Sequence, residues 1–136
     1  MAAPSNAPKP ARPEPAIRVV MMPRDTNGEG TIFGGVILSY IDQAGFVEAK
    51  RQANHRYVTV CMDKVDFKQP VFVGDVLSLY AETSRIGRTS LTVKINAFAQ
   101  RANDPETAVP VTEAEVTFVA VGDDHRPTAI RPIPGN

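Results

Sequence analysis

Two hydrophobic patterns divide this chain. From Gly34 to about Gln52 the apolar residues Val36, Ile37, Leu38, Tyr40, Ile41, Ala44, Phe46 and Val47 recur at helical spacing. They cover most of the circumference, so the spacing predicts a largely buried helix. Charge gathers only at its end, in Glu48, Lys50 and Arg51, where cations also suit the macrodipole. Gly45 lies inside this helix at a cost of about 1 kcal/mol relative to alanine, which a close backbone approach would explain. Beyond it the period changes to two. Residues 89–100 alternate, with Leu91, Val93, Ile95, Ala97 and Ala99 on one face and Thr92, Lys94 and Asn96 on the other.

Further strands are predicted over residues 56–67, 75–85 and 111–121. A short one over 17–22 stops at Pro23. Ile86-Gly87-Arg88 reads as a tight hairpin, and Asn103-Asp104-Pro105-Glu106 as a longer turn. One strand, a buried helix and four long antiparallel strands make an α+β domain whose sheet wraps around its helix. One sheet on one helix leaves apolar surface uncovered, so dimerisation is expected.

Length and composition narrow the function. The 136 residues suffice for one domain with a real core. The domain is expected over 16–122, between an Ala- and Pro-rich arm (1–15) read as disordered and a Pro-rich tail (123–136). Lys plus Arg and Asp plus Glu each number 15, which argues against nucleic-acid binding through a basic surface and leaves a local patch open. The single cysteine, Cys61, excludes an internal disulfide and fits a reducing compartment. It sits in an apolar strand and is expected to be inert core. No apolar run reaches membrane-spanning length, and the arm lacks the apolar stretch of a signal peptide, so a cytoplasmic location is expected. With only His55 and His125 present, a His-rich metal site is disfavoured. His55 reads as a polar connector and His125 as a surface turn residue. Asp63 and Asp66 flank Lys64 toward solvent or an interface, and Asp75 is expected to fix a turn.

The candidate chemistry lies in residues 25–42. A polar, Gly-rich loop runs directly into the helix, and one acid, Asp42, interrupts the apolar body. Paired glycines at a helix start admit a ligand close to the backbone, where unpaired N–H groups can hold developing negative charge. Seven residues at 3.6 per turn place Asp42 over nearly the same stripe as Gly35. A base or nucleophile and an anion-holding backbone on one element suit acyl transfer. Taken alone, each residue has a plainer reading: a locally bonded carboxylate for Asp42, turn chemistry for Asn27, close helix packing for Gly34 and Gly35, and solvation for Arg88.

In order and spacing, three segments resemble the hotdog-fold acyl-CoA thioesterases, specifically the YciA-like group and the related cytosolic acyl-CoA hydrolases. They are Pro23-Arg24-Asp25-Thr26-Asn27 through Ile32-Phe33-Gly34-Gly35 to Asp42; Val58-Thr59-Val60 through Val65-Asp66-Phe67 to Pro70-Val71 and Val73-Gly74-Asp75; and Gly87-Arg88-Thr89-Ser90. The resemblance implies a long central helix wrapped by an antiparallel sheet, no cofactor, acyl-CoA substrates, and dimers that commonly assemble as trimers of dimers with sites between subunits. It assigns Asp42 as general base or nucleophile and Asn27 as a site residue from the neighbouring subunit. The backbone of Gly34 and Gly35 would face the thioester carbonyl, and Arg88, Thr89 and Ser90 would contact CoA. Val36 stands where many YciA-like proteins carry tryptophan, which bears on acyl-chain preference. Two alternatives are a non-catalytic acyl-CoA binder, which could dispense with Asp42 and Asn27, and an enoyl-CoA hydratase, which would want a histidine by the helix.

Overall fold

The computed structural model describes residues 7–131. Strand β1 (Ile17–Val20) precedes a single 3₁₀ turn, Pro23–Asp25, and the helix α1 (Gly34–Gln52). Four strands follow: β2 (Arg56–Phe67), β3 (Val76–Ile86), β4 (Ser90–Arg101) and β5 (Asp104–Val121). All pair antiparallel in the order β1-β3-β4-β5-β2, which leaves β1 and β2 at the edges.

The inner face of the sheet carries the core. Leu91, Val93, Ile95, Ala97 and Ala99 of β4 are all buried, as their alternation predicts. Ala114, Val116, Phe118 and Ala120 of β5 extend the layer, and α1 lies on it through Ile37, Ile41, Ala44 and Ala49. Gly45 explains itself here. A Cβ at this position would stand 2.9 Å from Phe118 Cε2 and 3.0 Å from its Cζ, so the ring packs directly on the helix backbone. Gly45→Ala should therefore destabilise the fold. Overpacking a closed core costs about 1–3 kcal/mol, more than the roughly 1 kcal/mol that alanine returns in helix propensity. Thermal melting would check this, and a raised melting temperature would contradict it.

Several expectations need correction. The helix is buried along one stripe only: Phe46 and Val47 are 42% and 47% exposed, so their side of α1 is open in the protomer. Glu48, read as part of a charged helix end, is buried. Cys61 is exposed. A register shift between Thr59 and Cys61 inserts Val60 into β2 as a bulge, so Met62 pairs with Val116 of the inner row and Cys61 with outward-facing Thr117. The expected turn over 103–106 is largely strand: β5 starts at Asp104, which pairs with Arg101 and leaves only Ala102 and Asn103 between the strands.

The arm and tail are partly tied down. The backbone N–H of Lys9 donates to Gln52 Oε1 (2.8 Å), and Gln52 Nε2 donates back to the Lys9 carbonyl (3.2 Å). In the tail Ile130 is buried, and its N–H donates to the Arg88 carbonyl (2.8 Å). The rest of both predicted segments, 1–6 and 132–136, lies outside the described residues.

Candidate active site

The loop before α1 is built from its own side chains. Asn27 N–H donates to the Thr31 carbonyl (2.9 Å), and Asn27 Nδ2 donates to Thr31 Oγ1 (2.6 Å). Asn27 Oδ1 accepts the Glu29 N–H (2.9 Å), an Asx turn. The turn chemistry expected of Asn27 is thus present. Its amide retains a second N–H and a second lone pair for other partners. Ile32 N–H donates to the Val71 carbonyl (2.8 Å), which pins the loop to the β2–β3 connection.

That connection is fixed by Asp75, as expected for a turn residue. Its Oδ2 accepts the Phe72 N–H (2.8 Å) and also pairs with the Arg101 guanidinium, which lies 4.9 Å from the Phe72 ring centroid.

Phe33 is the N-cap of α1 and supplies no side-chain cap. Its carbonyl accepts Val36 N–H (3.1 Å) and, at 3.5 Å, Ile37 N–H. The Gly34 and Gly35 N–H groups, first in the helix, have no acceptor among the described residues. A Cβ on Gly34 would meet Phe67 Cζ at 3.2 Å, so this glycine also serves close packing, whereas the space at Gly35 is open. Beside them an open depression of about 360 Å³ is lined by Thr31, Gly34, Ile37, Phe67 and Pro70.

Two turns along the helix lies a second depression, of about 390 Å³, lined by Asp42, Phe46, Val47, Tyr57, Thr59 and Phe118 among others. Asp42 is half-buried, and its Oδ1 accepts one hydrogen bond, from Thr59 Oγ1 at 2.6 Å. Oδ2 has no partner among the described residues. Burial pushes the Tyr57 hydroxyl up to about 12, and it donates to the Ala53 carbonyl (2.8 Å). At neutral pH it is a fixed donor, and Asp42 supplies a carboxylate to the lining of the same depression.

The structure does not bring all the predicted site residues together within one protomer. Asp42 and Gly34 line different depressions, and Asn27, Gly35, Arg88, Thr89 and Ser90 line neither. Thr59, Phe118 and Leu91 form one row across β2, β5 and β4, and the Gly87–Thr89 turn lies past that row at the same end of the sheet. Arg88 is exposed, and its guanidinium has no hydrogen bond or ion pair among the described residues. His55 Nε2 accepts the Arg131 N–H (2.9 Å), a connector as expected, and lines neither depression. The sequence alone gives Thr59 no role. Its place two residues after Tyr57, on the inward side of the strand that follows the helix, is what points to it.

A long helix cradled by this five-stranded antiparallel sheet is the hotdog fold. The thioesterase superfamily model matches residues 29–106. The chain is 42% identical over 120 residues to an uncharacterised acyl-CoA thioester hydrolase of Zymomonas mobilis, covering 88% of this chain and 80% of that one. It is 38% identical over 116 residues to the acyl-CoA thioester hydrolase YciA of Escherichia coli, covering 84% and 88%. Among solved structures, a hexameric hotdog-fold thioesterase of Campylobacter jejuni superposes with a TM-score of 0.81 at 44% identity, covering 87% of this chain and 90% of that one. The chain belongs to the thioesterase superfamily, among its YciA-like acyl-CoA thioester hydrolases.

Proposed function

We propose that this protein hydrolyses acyl-CoA thioesters to CoA and a carboxylic acid, with Asp42 as general base or nucleophile. One observation carries the reading: a single carboxylate, held by one hydrogen bond and without a further partner among the described residues, faces an open depression on the helix whose first N–H groups have no acceptor among those residues. Asp42 would deprotonate the attacking water or attack the thioester carbon itself. The Gly34 and Gly35 N–H groups would hold the oxyanion, and Asn27 would orient the water.

Helix geometry argues for a site shared between two copies. Seven or eight residues at 1.5 Å each separate Asp42 from the paired glycines by about 10–12 Å along the axis, too far for one thioester carbonyl to meet both. A second copy with its helix antiparallel would bring Asp42 of one subunit to Gly34, Gly35 and Asn27 of the other. The outer edge of β2 supports such pairing. It has no partner strand among the described residues, and Val58, Val60, Val65 and Phe67 along it are exposed. The hexameric relatives support further assembly into a trimer of dimers. No helix among the described residues is long and apolar enough to cross a membrane, and a lone exposed thiol suits the cytoplasm.

Thiol release from acetyl-, butyryl- and long-chain acyl-CoA tests the activity. Binding of all three without thiol release would leave a non-catalytic binder instead. Arg88, with Thr89 and Ser90, would contact CoA. Arg88→Ala should raise KM and leave kcat nearly unchanged, the pattern of lost uniform binding. An unchanged KM at low salt would remove Arg88 from the site.

A further inference from the structure

We infer that Thr59 is a positioning residue for the reaction, acting through Asp42; this rests on the reading of Asp42 given above. The two residues come from different elements, 17 positions apart, and meet at 2.6 Å through Thr59 Oγ1 and Asp42 Oδ1. A short bond of this kind is typical of a hydroxyl donating to an ionised carboxylate. It is the one hydrogen bond Asp42 receives among the described residues, so nothing else fixes the carboxylate.

An aspartate head turns easily about its last torsion, which is broad and two-fold. Thr59 removes that freedom. It is β-branched, so its own first torsion is restricted, and its backbone is held in the ladder opposite Phe118. The bulge at Val60 follows immediately, so Thr59 is the last inward residue before the alternation of β2 changes phase. With Oδ1 pinned, Oδ2 keeps a fixed direction and is left to meet water or the thioester carbon. Reaction rate depends steeply on such aim, because a misplacement of about 1 Å can cost 10²-fold. The pair is not needed to hold the helix: α1 is anchored by Ile41, Ala44 and Gly45, all buried, while Thr59 is exposed.

Thr59→Val keeps shape and removes the donor, and Thr59→Ser keeps the donor. We expect Thr59→Val to lower kcat by about 10–100-fold, by analogy with the loss of an outer-shell partner that orients a metal ligand, with KM within about two-fold and the melting temperature close to wild type. Thr59→Ser should restore most of the rate. Asp42→Asn/Thr59→Val should be no slower than Asp42→Asn alone, because no reactive carboxylate is left for Thr59 to aim. A wild-type kcat in Thr59→Val beside an inactive Asp42→Asn would overturn the inference and leave Asp42 in place. A serine variant as slow as the valine variant, or a double variant slower than Asp42→Asn, would overturn it too. Full activity in Asp42→Asn would remove Asp42 from the chemistry and Thr59 with it.

Discussion

Asp42→Asn should keep the fold and CoA binding and lower kcat by roughly 10²–10⁴-fold, the range for loss of a general base. The substitution preserves volume, and the asparagine carbonyl can still accept from Thr59 Oγ1, so packing around the helix is unchanged. What disappears is Oδ2, the carboxylate oxygen without a partner among the described residues. Asn27→Ala should also lower kcat, with a smaller effect on CoA affinity. The shared-site reading adds a stricter outcome. Subunits carrying Asp42→Asn and subunits carrying Asn27→Ala, refolded together, should regain part of the activity, because each mixed dimer holds one site with neither lesion. Mixed dimers no more active than either parent would reject the shared site. A wild-type rate in Asp42→Asn alone would reject the mechanism.

Glu48→Ala should cost about 3–5 kcal/mol of stability, the range for breaking a buried ion pair by removing one partner. Glu48 is 5% exposed. It accepts from Arg51 Nε (2.8 Å) and Nη2 (3.0 Å), from Gln52 Nε2 (2.8 Å) and from Thr83 Oγ1 (2.8 Å). Alanine would leave the Arg51 guanidinium, 18% exposed, without its anion and Thr83 without its acceptor. The damage should spread to the arm, since Gln52 holds Lys9 and Arg51 Nη2 donates to the Pro10 carbonyl (2.8 Å). Denaturant unfolding measures the loss, and limited proteolysis should cut the arm faster. A loss below about 1 kcal/mol would show the network to be no stronger than a surface ion pair.

Features set by local chemistry were legible in the sequence. The bounds of α1 follow from the paired glycines and the helical spacing after them. The buried face of β4 follows from strict alternation, and Gly45 marked a close approach because glycine inside a helix needs a reason. The candidate residues were legible as types: a loop asparagine, paired glycines and one acid on an apolar helix. Other features came only from packing between segments far apart in the chain. Cys61 alternates as core until the bulge at Val60 reverses the faces, and nothing local announces that bulge. Asp104-Pro105-Glu106 has turn composition, yet Asp104 pairs with Arg101, and Gln100 Nε2 donates to the Pro105 carbonyl (2.7 Å). Glu48 looks like a solvated charge until Thr83, 35 residues on, meets it inside. Thr59 gains its meaning only because the sheet folds it against Asp42. Sequence periodicity fixes which face of an element is apolar, because that follows from backbone geometry alone. Which polar groups meet is decided where elements cross, and their partners there are chosen by tertiary distance.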